Sequence, residues 1–120
     1  MRKVEIGSRK YTEVECLDEP GDGGACHIYQ VVTVPEDDQD HTICLEVRLQ
    51  NGPIKEKGVN GCHHEDLIAI VIDRLQHFQA GEYSCRENAL AITKLEEALL
   101  WLNKRTQDRI NRGVEGTHTK

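Results

Sequence analysis

Apolar and polar residues alternate in the first half of the chain and recur at three- and four-residue intervals in the second. Residues 26–34, Cys-His-Ile-Tyr-Gln-Val-Val-Thr-Val, and 42–49, Thr-Ile-Cys-Leu-Glu-Val-Arg-Leu, are rich in β-branched residues and alternate over much of their length. Pro35 and the acidic run Glu36-Asp37-Asp38-Gln39-Asp40 lie between them, which predicts a hairpin with a charged, solvated connection. Residues 3–6 and 11–16 alternate as well, and Gly21-Asp22-Gly23-Gly24 marks a turn ahead of the next run. A small antiparallel sheet of about three to five strands is expected.

Beyond Asn60-Gly61 the period changes. Leu67, Ile68, Val71, Ile72, Leu75 and Phe78 predict a helix over about 62–79, with an apolar stripe wide enough for two neighbours. Ala80-Gly81-Glu82-Tyr83 breaks it, and Ser84-x-x-Glu87 has the spacing of a capping box that opens a second helix. No breaker follows until Gly113, which suits a left-handed C-terminal cap. The second helix therefore runs about 85–112, roughly 40 Å at the usual rise per residue, and overhangs its partner. The expected fold is α+β in a single domain. An N-terminal small antiparallel β-sheet within 1–58 precedes a C-terminal antiparallel two-helix hairpin over 62–112, and a short tail closes at 113–120.

Composition narrows the function. With 120 residues, 38 % hydrophobic and 4 % aromatic, the core must be aliphatic, and a chain of this size has little room for a deep catalytic cleft. The net charge of −6 disfavours a general nucleic-acid binder. Five widely spaced cysteines, Cys16, Cys26, Cys44, Cys62 and Cys85, without a Cys-x-x-Cys pair, read as reduced thiols with no disulfides. The absence of an apolar run of about 18 residues, and of a signal-peptide pattern after Met1, leads to the expectation of a cytoplasmic protein.

The second helix carries the most distinctive chemistry. Ala91, Leu95, Ala98 and Leu102 form a seam for packing against another helix, and the same spacing continues into Arg105, Arg109 and Arg112. A seam that turns from apolar to cationic on one face needs an anionic partner, and guanidinium forks match phosphate oxygens bidentately at any physiological pH. Structural pairing is the competing reading, with the arginines complementing the helix dipole or meeting carboxylates such as Asp108 and Glu115. The single Phe (Phe78) and single Trp (Trp101) both lie on the hairpin, where a flat ring can stack on a base or simply fill the core.

Other sets are weaker. Cys62-His63-His64 with Cys85 lacks paired metal-ligand spacing, so no metal site is expected there. Cys62 and His77 could be drawn as a nucleophile pair, but a cysteine is more often a small hydrophobe. Gly21-Asp22-Gly23-Gly24 lacks the strand, helix and Lys of a phosphate loop. No catalytic set, and hence no enzyme, is expected from these residues.

Several motifs occur in order along residues 51–118: Asn51-Gly52-Pro53-Ile54-Lys55-Glu56, Gly58-Val59-Asn60-Gly61, Ile70-Val71-Ile72-Asp73-Arg74-Leu75, Cys85-Arg86-Glu87-Asn88-Ala89-Leu90, Leu95-Glu96-Glu97-Ala98-Leu99 and Arg112-Gly113-Val114-Glu115-Gly116-Thr117-His118. Together they resemble the C-terminal part of the first Thoeris anti-defence family of bacteriophages, whose helical hairpin is similar to that of a phage anti-CBASS sponge. Residues 1–50 carry no matching motif, and Cys62-His63-His64 departs from the family at the start of the first helix.

The resemblance implies a binding protein without cofactor that sequesters a nucleotide messenger of bacterial immunity and does not cleave it. The messenger is glycocyclic ADP-ribose, in its 1''-2' or 1''-3' form, with cyclic trinucleotides of CBASS at a second site. It implies messenger contacts by Phe78, Asn88, Arg105 and Arg109, and second-ligand contacts by Arg112, Thr117 and His118. It further implies a homo-dimer, or a hexamer built as a trimer of dimers, in the cytoplasm of the infected host, with neither nucleic-acid polymer nor membrane as partner. Two alternatives stand beside it: an oligomeric interaction protein whose arginine seam serves assembly only, and a small nucleotide hydrolase using His63, His64 or the acidic loop.

Overall fold

The computed structural model describes residues 1–37 and 39–120; Asp38, in the acidic connection, lies outside them. The chain forms two compact units, Met1–Cys62 and His63–Lys120. The first unit is a four-stranded antiparallel meander, β1 (Arg2–Lys3), β2 (Thr12–Cys16), β3 (Ile28–Thr33) and β4 (Ile43–Arg48), paired in the order β1-β2-β3-β4. The two longest strands fall on the two runs that alternate most clearly in the sequence, with the acidic connection between them.

Register sorts the side chains onto two faces, because residues directly opposite one another across antiparallel strands share a face. Arg2, Cys16 and Tyr29 align across β1, β2 and β3, and Tyr29 opposes Val47 in β4; Val14, Val31 and Leu45 form the next row. This face is mainly apolar. The other carries Lys3, Glu15, Gln30 and Glu46 in one row, and Glu15, 7 % exposed, is satisfied by the Gln30 amide at 2.7 Å. A register shift between Val31 and Val32 lets the strands twist near the acidic connection.

Between β4 and the hairpin, the one-turn helix α1 (Ile54–Lys57) sits in a loop tied by two amide side chains. Asn60 accepts from Asn51 N–H at 2.8 Å and donates to Asn51 carbonyl at 2.7 Å, while Gln50 donates to the carbonyls of Gly52 and Gly58. The loop returns so closely beside β4 that a Cβ at Gly61 would lie 2.5 Å from the Leu49 carbonyl carbon, so only glycine fits. The asparagine and glycine motif read from the sequence is thus a backbone staple.

The second unit is the helical hairpin, α2 (His64–Gln79) and α3 (Arg86–Asn111), of 16 and 26 residues. In α2, Ile72 is buried while Leu67, Ile68, Leu75 and Phe78 are half-buried. Ile70 and Val71, at 66 % and 45 % exposure, lie outside the packed stripe. His63 precedes α2, and the Asp66 carboxylate reaches back to its N–H at 2.9 Å.

The Ser84/Glu87 capping box does not form; α3 begins one residue later, with Cys85 as its cap. Gln79 holds both backbone groups of Cys85, accepting its N–H at 2.9 Å and donating to its carbonyl at 3.0 Å. That fixes Cys85 in extended conformation, and its Sγ accepts from Asn88 N–H at 3.4 Å. At the other end the expected glycine cap is present: Gly113 has φ +74, its N–H reaches the Ile110 carbonyl, and Val114 N–H reaches that of Arg109.

Candidate functional site

The open end of α3 is a cationic groove of about 830 Å³ lined by Trp101, Lys104, Arg105, Asp108, Arg109, Asn111, Arg112 and Lys120. Trp101, Arg105, Arg109 and Arg112 follow one another at four-, four- and three-residue steps, so the helix stacks them along one side. Five cationic side chains meet one carboxylate there, and that carboxylate, Asp108, is paired with Lys104 at 2.8 Å. The groove is a local positive field on a chain of net charge −6.

The three arginines are not equivalent. Arg109 is half-buried, and its guanidinium clamps the tail by donating to the carbonyls of Thr119 at 2.8 Å, Val114 at 3.0 Å and Thr117 at 3.1 Å. Neutral carbonyls accept these bonds without cancelling the charge, so Arg109 still contributes its cation to the groove. Among the described residues, Arg105 and Arg112 make no ion pair, and both are exposed. The expected pairing of an arginine with Asp108 is replaced by Lys104–Asp108.

The continuous seam is also corrected. Ala91, Leu95, Ala98 and Leu102 are half-buried as expected, but the next half-buried position is Thr106, followed by Arg109. Arg105 and Arg112 stand beside the packed seam and not on it. Leu100, Trp101 and Ile110, at 70 %, 65 % and 50 % exposure, are left to water along the second half of α3, with Trp101 and Ile110 on opposite sides of the helix.

Of the residues expected to bind ligand, the groove joins Arg105, Arg109 and Arg112. Thr117 does not line the groove; its carbonyl accepts from Arg109, and its hydroxyl donates to the Val114 carbonyl. His118 is exposed in the same tail. Phe78 and Asn88 lie at the opposite, connected end of the hairpin. Asn88 is about 25 Å from Arg105 along the helix axis, at about 1.5 Å per residue. There the Arg74 guanidinium lies 5.2 Å from the centre of the Phe78 ring, and the Asn88 amide donates to the Tyr83 carbonyl at 3.4 Å.

Lys104 and Lys120 are groove residues that the sequence did not mark, and Trp101, which it left open between base stacking and core, lines the groove as well. The sequence signal for Trp101 is its place four residues before Arg105, one turn away on the same side, and the residue is 65 % exposed where a core tryptophan would be covered. Lys120 reaches the groove only because Arg109 folds the tail back.

The weaker sets find structural uses. His63 and Cys85 each cap a helix, with the full length of α2 between them, and the His77 ring bonds the Asp73 carbonyl at 2.8 Å. Gly23, at φ +74, lies in a turn.

The chain is similar to known proteins over the hairpin. "Thoeris anti-defense 1" of Bacillus phage SBSphiJ7 is 68 % identical over 74 residues, which is 62 % of this chain and 52 % of the relative. The chain thus spans about half the length of the curated relative it matches. The model of the Acb2/Tad1 hairpin domain matches residues 42–107, which includes β4, the Asn-Gly loop and most of both helices. By that match over more than half its length, the chain belongs to the Acb2/Tad1 hairpin-domain family.

Proposed function

We propose that the protein is a phage anti-defence sponge that binds glycocyclic ADP-ribose and withholds it, uncleaved, from the Thoeris effector. The observation that carries this reading is the groove: two arginines that make no ion pair among the described residues, a third that holds the tail, and an exposed indole one turn away. A pyrophosphate matches the guanidinium forks, and an adenine matches the ring. The name of the phage relative points the same way.

Phe78 and Asn88 belong to this reading through a second copy. Since the connected end and the open end of one hairpin are far apart, an antiparallel partner is the means of bringing Phe78 and Asn88 of one copy to Arg105 and Arg109 of another. This supports a homo-dimer, or a hexamer built as a trimer of dimers, with ligand between subunits. Arg112, Thr117 and His118 remain the candidates for a second ligand, a cyclic trinucleotide.

The test is recovery of the ligand. The protein is saturated with glycocyclic ADP-ribose, separated from free ligand and denatured, and the released small molecule is identified by chromatography. The cyclic form in stoichiometric amount is expected; a linear product would replace the sponge by a hydrolase. The exposed Leu100, Trp101 and Ile110 favour a second reading in which this end of α3 serves assembly alone. That reading predicts no ligand in the isolated complex.

A further inference from the structure

A second cluster lies in the β unit and shares no residue with the groove. The ligating atoms of Cys16, Asp18 and Cys26 all lie within 4.8 Å of one another. Cys16 ends β2, opposite Arg2 on one side and Tyr29 on the other, and is 1 % exposed. The Asp18 carboxylate then accepts His27 N–H at 2.9 and 3.1 Å and Ile28 N–H at 3.1 Å. These bonds draw the start of β3 against the end of β2 and bring Cys26 to Cys16. The Cys16 Sγ lies 3.8 Å from Asp18 Oδ1.

We propose that Cys16, Asp18 and Cys26 bind a thiophilic divalent cation of the zinc class, with Arg2 as the charge-balancing neighbour. Zinc takes thiolate sulfur at about 2.3 Å and carboxylate oxygen at about 2.0–2.2 Å, so its ligands stand roughly 3.3–3.8 Å apart in a tetrahedral site. The cluster needs only a small closure to reach that spacing. Both thiols lose their protons on binding, which leaves three negative ligands. Arg2 stands directly opposite Cys16 across β1 and β2, and its guanidinium, held above its ordinary pKa by the neighbouring thiols, offsets one of these ligands, while a divalent ion offsets the other two. The backbone N–H groups of His27 and Ile28 already hold the carboxylate in place, as the outer partners of metal ligands do. The ion would tie the end of β2 to the start of β3.

The experiment titrates the reduced full-length chain with Co²⁺ in the presence of a phosphine reductant and reads the thiolate-to-cobalt charge-transfer absorption. The combined Cys44→Ser, Cys62→Ser and Cys85→Ser variant is the reference, because it leaves only the two cluster thiols. Saturation at one equivalent, displacement by Zn²⁺, loss in a further Cys26→Ser change and at least about tenfold weakening in Asp18→Asn are expected. In the unaltered chain, Zn²⁺ should selectively slow alkylation of Cys16 and Cys26, which keeps the test independent of variants that fold poorly. No charge-transfer band in the reference variant, a band unchanged by Cys26→Ser, or equal alkylation of Cys16 and Cys26 with and without Zn²⁺ would overturn the proposal.

Discussion

The Arg109 guanidinium donates to the Thr117 carbonyl at 3.1 Å, so a side chain of the last helical turn holds the tail that follows the helix. The same residue's backbone carbonyl accepts Val114 N–H in the glycine cap, and its second nitrogen reaches Thr119. Side chain and main chain thus secure one turn-back, and the groove depends on it for Lys120.

Replacing Arg109 by Ala is therefore expected to free residues 114–119, with faster amide exchange there and a loss of about 1 kcal/mol for a partly exposed charged clamp. Lysine at this position should not restore the order, because one ammonium cannot reproduce a planar fork that reaches three carbonyls. Hydrogen exchange resolved by mass spectrometry checks both variants. Unchanged exchange in Arg109→Ala would mean that the glycine cap alone holds the tail.

Gln79→Ala should loosen the hairpin's connection. It removes both bonds to Cys85 and frees the residue that caps α3. At about 0.5–1.5 kcal/mol per bond, and with the site exposed to water, a cost of about 1–2 kcal/mol is expected in denaturant unfolding. Ser84→Ala, by contrast, should change stability little, since the serine caps nothing.

Asp18 should give the β unit an acid-sensitive step. Burial alone would raise its carboxyl, but hydrogen bonds from His27 and Ile28 outweigh that and hold it below the ordinary carboxylate range. A group depressed in the folded state contributes stability above its unfolded value, near pH 3.9, and loses it as the pH falls through the folded value. In metal-free protein, the unfolding free energy should fall in this acid range, and Asp18→Asn should lower stability at pH 7 while flattening the acid limb. Parallel acid profiles for the two proteins would contradict this.

The strands and helices were legible because local pattern decides them. β3 and β4 alternate between turn residues, and the α2 stripe repeats at helical spacing up to Ala80. What escaped depends on contacts that spacing does not encode. The start of α3 moved by one residue because Gln79, six positions upstream, pins Cys85. The seam missed Arg105 because a straight helix drifts off a strict heptad by about 20° every seven residues, which turns Thr106 inward. Three arginines at the site could be read from sequence, whereas Arg109 as tail clamp could not, since its partners are main-chain carbonyls. The Cys16–Asp18–Cys26 cluster was hidden for a similar reason: strand register and two backbone N–H bonds bring Cys26 back to Cys16.

An assembly larger than one chain is expected because Leu100, Trp101 and Ile110 on α3 and Ile70 and Val71 on α2 are all large apolar side chains left to water in a single hairpin. Light scattering on a sizing column should give a multiple of 13.6 kDa. Leu100→Glu, which touches no groove residue's charge, should shift it toward the single-chain mass. A single-chain mass for the unaltered protein at micromolar concentration would refute the ligand site between subunits.

Calorimetric titration with glycocyclic ADP-ribose tests most directly whether the groove arginines, which make no ion pair among the described residues, hold an anionic nucleotide. Arg105→Ala and Arg112→Ala each remove an exposed guanidinium with no ion pair among the described residues, so melting should be unchanged. If Arg105 grips the pyrophosphate, its loss removes a charge-assisted contact worth about 1.5–3 kcal/mol, or about tenfold to over a hundredfold in affinity. Arg112→Ala should weaken glycocyclic ADP-ribose less and a cyclic trinucleotide more. Affinity for glycocyclic ADP-ribose that is unchanged in Arg105→Ala, in protein with its assembly intact, would contradict the account.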